Sequence, residues 1–427
     1  MADQSIVKVA KPGVTGTKSL VIPITNIYDG SDYSAKLFVG SNKVPVNVIL
    51  DTGSSTLAVT PKAYHAASDT DLKATTLAQM VMYGTGGWIG PVVNTTLGMG
   101  EGTDQVTLSG APIAITYAQQ KNNFTGVDGI MGLAYGQLNG AADLKDYLTK
   151  TRPAEPVTYP WPFPGGHFTI FANKYAQLIR SLNLTATDIQ PYFQELEENG
   201  VVANKFAFYT KRSWVNIAST DSREIEKDPL NQGFFVLGGG EEQTHLYKGE
   251  FLDIDVQHDF YYNTNLVAVQ VDGSTRVNAL PLQPKYQAFM ITNSIIDSGT
   301  SDLTLAQDVY NAIMDSLKQL NPSFATQISA ATQTGVAMTD GDLSKWPNIN
   351  FIFSGLTGNE VTLTCTPQTY WQTNFPKPGT ASFQISGPMQ GDDSNRSILG
   401  LPLMNNYYTI FDRSTNQNGI IRFAAIN

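Results

Sequence analysis

Two aspartates in this 427-residue chain close nearly identical segments. The first reads Val48-Ile49-Leu50-Asp51-Thr52-Gly53-Ser54-Ser55, the second Ile295-Ile296-Asp297-Ser298-Gly299-Thr300-Ser301. Each is an apolar run into an aspartate, then a glycine between small hydroxyl residues. One such match arises by chance in roughly one chain in fifty of this length, and two with apolar run-ins are far rarer. A strand that delivers a carboxylate to a glycine turn exposes it, and the flanking hydroxyls can hydrogen-bond it. Two such turns face to face hold carboxylates close enough to share one proton, because both cannot cheaply ionise. That is acid–base machinery for activating water. Two unrelated Asx turns are the simpler alternative, and the later motifs weigh against it.

With these triads the chain resembles the pepsin-like aspartic proteases. Met82-Tyr83-Gly84-Thr85-Gly86-Gly87 is similar to the family's flap tip, and Val127-Asp128-Gly129-Ile130-Met131-Gly132-Leu133-Ala134-Tyr135 to an apolar-Gly segment of its first lobe. Ser397-Ile398-Leu399-Gly400, followed by Tyr407-Tyr408-Thr409-Ile410-Phe411-Asp412, is similar to the partner segment of the second. Gln232-Gly233-Phe234-Phe235-Val236-Leu237-Gly238-Gly239 resembles the strand entering that lobe. The motifs run in family order from about residue 35 to the C-terminus, and the nearest resemblance is to the disulfide-free bacterial, shewasin-like homologues.

The resemblance implies a mostly β, bilobal acid protease fold. Two pseudo-symmetric β-barrel-like lobes with short helices would flank a cleft, as an arm at 1–19, an N-terminal lobe with the flap at 20–203 and a C-terminal lobe at 204–427. It implies an aspartic endopeptidase acting at acid pH on a peptide or unfolded protein, between bulky hydrophobic residues, sensitive to a statine-type inhibitor and monomeric. Asp297 would be the base and Asp51 the acid. Ser54 and Thr300 would bond the outer carboxylate oxygens, Thr52 and Ser298 would brace the two loops, and Gly53 and Gly299 would keep the turns small. Tyr83, Gly84 and Thr85 of the flap would cover the substrate, with Ile130 and Tyr83 at the S1 subsite, Ser301 in the substrate-binding set and Tyr209 a candidate for the distal cleft. Two departures stand out. Ala58 replaces a tryptophan that usually bonds the flap tyrosine, which predicts a Tyr83 without that partner. Asp302 replaces a leucine and adds a carboxylate beside the second triad. The alternatives are a catalytically inactive peptide-binding protein of the same fold, disfavoured by two intact triads, and an unrelated β-rich binding protein, disfavoured by the motif set.

Composition bounds the rest. The length predicts two or three domains. Gly 37, Pro 22, Tyr 19 and Phe 20, with short apolar runs between Asn/Asp/Gly turns, read as mostly β. A net charge of -10 and pI near 4.9 argue against a nucleic-acid partner, which needs a basic stripe. Cys365 is the only cysteine and lies in an alternating run, which reads as a core residue with no intramolecular disulfide. No apolar h-region opens the chain and no run nears membrane-spanning length, so a cytoplasmic protein without a membrane partner is expected. Residues 1–19 are short for a propeptide, which predicts activity without maturation; the rival reading docks Lys8 or Lys11 on the dyad. The Gly-rich runs at 84–87 and 98–102 do not read as nucleotide loops, and the four histidines are scattered, so no metal and no organic cofactor is expected.

These residues need positioning elements. Strands are expected from 20 to 50, a flap hairpin over 77–97 and a stiff Pro-rich insertion between lobes at 151–166. Helices are expected at 173–182, at 187–199 capped by Gly200, and at 305–320, where Val309, Ile313, Leu317 and Leu320 form an apolar stripe.

Overall fold

The computed structural model describes residues 18–427 except 85, 103, 121–123, 125 and 164–167, and the side chains of 332–334 and 340. Lys8, Lys11 and Thr85 therefore lie outside the described residues.

Alternation builds the first strands. β1 (Leu20–Thr25) buries Leu20, Ile22 and Ile24 and turns Val21 outward, the period of a strand with one buried face. β2 (Ser34–Val39) and β3 (Val44–Asp51) form a hairpin, and β4 (Leu57–Val59) follows the first triad. β5 (Lys73–Met82) and β6 (Gly87–Glu101) form the long hairpin with Tyr83 and Gly84 at its tip. β7 (Asp104–Ile115), β8 (Ala118–Gln119), β9 (Gly129–Gly132) and β10 (Gly140–Asp143) extend the same sheet.

Three helices lie between the halves: α1 (Lys145–Thr151), α2 (Phe168–Ser181) and α3 (Tyr192–Glu198). The expected helix at 187–199 is shorter because β11 (Ala186–Asp188) pairs with β10 and Pro191 is extended. Gly200, at φ 69, follows its end. β12 (Lys205–Tyr209) and β13 (Gln232–Leu237) then pair, and β13 registers along the whole of β1. One sheet therefore continues from the first half into strands Tyr407–Asp412, Ile420–Ile426 and Tyr247–Asp255 of the second.

The sequence echo is a structural echo. β3 runs parallel to β9 with Asp51 opposite Gly132, and Ser294–Ile296 runs parallel to Ser397–Leu399. In each half a short strand then crosses antiparallel, β4 on β9 and Leu303–Thr304 on Ser397–Leu399. Val46, Val48 and Leu50 are wholly buried, which suits a strand packed inside a sheet. Glycine is required beside both loops: a Cβ on Gly132 would lie 2.4 Å from Ser55 N, and one on Gly400 2.1 Å from the Thr300 carbonyl oxygen.

Behind the second loop, helix Gln307–Leu320 buries Val309, Ile313 and Leu317, each contributing about 1.5–3 kcal/mol. Leu320, expected in that stripe, is instead 43% exposed at the helix end. The halves are tied by Arg413, which donates to Tyr262 Oη at 2.7 Å and to the Leu133 carbonyl and stacks 4.2 Å over Tyr135. Cys365 is buried, with its sulfur 3.3 Å from Thr369 Oγ1. Among the described residues no helix is long and apolar enough to cross a membrane.

Candidate active site

Asp51 is the last residue of β3, and Asp297 directly follows strand Ser294–Ile296, so each carboxylate leaves its sheet as the chain turns. The turns are pinned to their neighbours. Leu133 N–H donates to the Asp51 carbonyl at 2.7 Å, and Asp297 N–H donates to the Leu399 carbonyl at 3.0 Å. A Cβ on Gly53 would lie 2.6 Å from both Asp297 carboxylate oxygens, and one on Gly299 would lie 2.4 Å from Asp51 Oδ1. Each carboxylate thus rests against the glycine of the opposite triad. The two acids face each other.

The hydrogen bonds repeat with the same symmetry. Gly53 N–H donates to Asp51 Oδ1 at 2.7 Å and Ser54 Oγ to Asp51 Oδ2 at 2.5 Å. Gly299 N–H donates to Asp297 Oδ1 at 2.9 Å and Thr300 Oγ1 to Asp297 Oδ2 at 2.7 Å. Thr52 and Ser298 bond one another across the pair. Burial pushes the Asp51 carboxyl well up, the negative charge of Asp297 adds to this, and the Ser54 hydroxyl and Gly53 amide oppose it. The arrangement favours one proton on the pair, since burial and like charge both penalise double ionisation.

Tyr83 of the hairpin tip lies within electrostatic reach of the first carboxylate. Burial raises the Tyr83 hydroxyl first; the Trp88 bond lowers it and the Asp51 charge adds to the rise. Trp88 Nε1 donates to Tyr83 Oη at 3.2 Å. The expectation of a Tyr83 without a tryptophan partner is therefore corrected: β6 supplies one from inside the flap. Trp88, Ala58 and Ile130 are buried in one cluster with Tyr83 and Phe124 packed against it, so a bulky indole from the hairpin shares a cluster with a small residue at 58. Gly84 abuts Met389 of the second half, because a Cβ there would come 2.6 Å from Met389 Cε. Tyr209 packs with Phe234, Tyr408 and Ile410, in a different cluster from Ile130 and Tyr83.

Sequence reasoning missed three further residues. Ser301 Oγ donates to Asp32 Oδ1 at 2.9 Å. Asp32 is pushed up to about 8, first by burial, then by Asp29, and in smaller part by Asp297 and Asp302. Asp302 itself is raised, because burial outweighs the opposing influence of the nearby Trp214. Asp32 is therefore an acid beside the second triad that the motifs did not signal; it sits in a loop far away in sequence. Tyr261 is raised by burial and, to a lesser extent, by the charges of Asp297 and Asp51, while Arg396 stacks 5.5 Å from its ring centroid. The aromatic run Phe260-Tyr261-Tyr262 was the only available hint of it. Trp88 was legible as part of the flap but not as a partner. Among the described residues no group of three or more His, Cys, Asp or Glu side chains is placed to hold a metal ion.

The chain is similar to known aspartyl proteases. The family profile described as eukaryotic aspartyl protease matches residues 32–149 and 183–425. Pepsin A of Gallus gallus is 25% identical over 422 residues, covering 96% of this chain and 88% of the relative. A beta-secretase of Strongylocentrotus purpuratus is 21% identical over 260 residues, covering 58% of this chain and 46% of that protein.

Proposed function

The chain belongs to the eukaryotic aspartyl protease family, and on that premise we propose that it hydrolyses peptide bonds with Asp51 and Asp297 as one proton-sharing pair. The observation that carries the proposal is the reciprocal seating of each carboxylate on the other triad's glycine. A water bound between the acids loses a proton to ionised Asp297 as its oxygen attacks the scissile carbonyl carbon. Protonated Asp51 hydrogen-bonds the carbonyl oxygen as it gains charge and gives it the proton, forming a tetrahedral diol. The proton taken by Asp297 then passes to the leaving nitrogen as the C–N bond breaks, and one diol hydroxyl returns its proton to Asp51. The raised Asp51 carboxyl supports giving it the proton at attack, although the dyad titrates as a unit.

An extended peptide would lie under Tyr83 and Gly84, its backbone bonded by the hairpin tip and an apolar side chain against Tyr83, Phe124 and Ile130. One apolar pocket discriminates by about 1–3 kcal/mol, so cleavage favours bulky hydrophobic residues with low stringency. Ser301 contributes through its bond to Asp32. The buried lone Cys365 supports a reducing, cytoplasmic setting and kinship with the disulfide-free homologues.

Incubation with a denatured protein at pH 4, with and without a statine-type peptide and with a metal chelator, tests the reading. Hydrolysis blocked by the statine peptide and indifferent to the chelator is expected. Tight statine binding without turnover would instead identify an inactive peptide-binding protein, and neither binding nor turnover would overturn the proposal.

A further inference from the structure

Residues 150–182 fall between the two stretches matched by the family profile, and the described ones among them, 150–163 and 168–182, are built against the base of the hairpin carrying Tyr83. Pairing of β5 with β6 slips between Ala74 and Ala78. Backbone carbonyls within such a bulge need partners from outside the ladder. Leu144 N–H serves the Thr76 carbonyl at 3.0 Å, and the segment serves those of Thr75 and Leu77. Thr158 N–H donates to the Thr75 carbonyl at 2.8 Å. The Thr158 hydroxyl is shared between the Thr75 carbonyl at 3.0 Å and the Leu77 carbonyl at 2.7 Å, and the residue is wholly buried. Ala78 is registered against Pro91, which has no N–H to give. Its carbonyl accepts the Tyr175 hydroxyl at 3.2 Å.

Apolar packing backs these bonds. α2 buries Phe168, Phe171 and Tyr175 in one cluster with Ala78 of β5 and Ile89 of β6. The Phe168 ring stands close to the tip, since a Cβ on Gly87 would come 3.2 Å from its Cζ. Trp161 closes the cluster by stacking on Tyr117 at 5.5 Å and meeting Phe163 edge-on at 5.1 Å. Both strands of the hairpin are thus held from behind by a segment outside the family match.

We propose that residues 150–163 and 168–182 are a brace for the Tyr83 hairpin, a positioning element that limits how far the tip swings from the cleft and so sets how fast peptides enter and leave. β10 pairs with β5 only as far as Ala78, and β8 with β6 only at Trp88 and Ile89, so excursions of the tip are governed by what the base is packed against. Covering hairpins of this kind commonly gate turnover. The gating half rests on the proposed peptidase reading, whereas the mechanical half concerns the free protein alone.

Hydrogen exchange on the free full chain tests the mechanical half, comparing wild type with Phe168→Ala, Thr158→Val and Tyr175→Phe. Amides of residues 79–90 should exchange at least about ten-fold faster in Phe168→Ala and Thr158→Val, and less so in Tyr175→Phe, with those of 46–50 unchanged. Unchanged exchange at 79–90 in folded variants would overturn the brace. Tyr175→Phe keeps the ring and preserves the test where a larger change prevents folding. Association and dissociation rates of a statine-type peptide should both rise in the same variants. Faster exchange with unchanged binding rates would overturn the gating role. Wild type binding no statine peptide would instead count against the peptidase proposal, leaving exchange to decide the brace.

Discussion

Thr52 and Ser298, 246 positions apart, exchange hydrogen bonds across the centre of the molecule: Thr52 N–H donates to Ser298 Oγ at 3.0 Å, and Ser298 N–H to Thr52 Oγ1 at 2.8 Å. The two hydroxyls donate onward, Thr52 to the Ile296 carbonyl at 3.1 Å and Ser298 to the Leu50 carbonyl at 2.7 Å. Both residues are buried, so no water can replace these bonds. The carbonyls they reach lie next to the two aspartates. The brace therefore fixes one carboxylate relative to the other.

Ser298→Ala leaves the Thr52 amide and the Leu50 carbonyl unpartnered in the interior, which costs about 1–3 kcal/mol of stability per group. Urea unfolding should show this loss, and kcat should fall more than the remaining stability explains, because the carboxylates lose their mutual register. Full activity in a folded Ser298→Ala protein would show that the brace does not position the pair.

Gly299→Ala places a methyl 2.4 Å from Asp51 Oδ1, well inside van der Waals contact. The carboxylate is held by Ser54 and Gly53 and cannot swing freely. Overpacking of this kind costs about 1–3 kcal/mol, and a displaced acid should lower kcat by roughly a hundred-fold with KM little altered. Steady-state kinetics on a peptide substrate check it; an unaffected kcat would mean that Asp51 is not fixed in the reaction.

Trp88→Phe removes the N–H that reaches Tyr83 at 3.2 Å while keeping an aromatic ring in the cluster. One neutral hydrogen bond is worth about 1 kcal/mol, so kcat/KM should drop about five-fold. Tyr83→Phe should cost as much, and the double variant no more than either single one. Additive losses would separate the two residues.

The repeated triads were readable because chemistry dictates their parts: a carboxylate, a glycine that its opposite number must approach, and hydroxyls to bond it. The flap and apolar-Gly segments were readable only through the resemblance to the pepsin-like proteases. Partners set by tertiary contact were not readable. Trp88 substitutes for an indole missing at Ala58 through packing between strands, and Asp32 reaches Ser301 from a loop 269 positions away. The helix expected at 187–199 shortened because β11 found a sheet partner, which no local periodicity reports. Leu320 fits the helical stripe by spacing, but the helix ends there and the core does not reach it.

Stability should depend on pH through Asp32, raised from 3.8 to about 8 by burial and then by Asp29. A carboxyl raised on folding binds its proton more tightly in the folded protein, so its contribution is full at low pH and is lost as pH rises from about 4 through about 8. Asp69 runs the opposite way. Burial raises it, but the Ser41 amide and the Thr95 and Tyr64 hydroxyls outweigh this and hold it at about 2, so its contribution is lost as pH falls below about 4. Thermal unfolding should therefore show a maximum in the mildly acid range, and Asp32→Asn should flatten the decline toward pH 8. An unaltered decline in Asp32→Asn would assign the pH dependence to other groups.

The most direct measurement is kcat/KM at pH 4 for a peptide with bulky apolar residues on both sides of one bond, in wild type, Asp51→Ala, Asp297→Ala and the double variant. Each single variant should lose at least about 10⁴-fold while remaining folded, and the double variant should lose no more than either, because the two carboxyls act as one acid–base unit. Hydrolysis well above the uncatalysed rate in either purified single variant would contradict the shared-proton pair at the centre of the proposed mechanism.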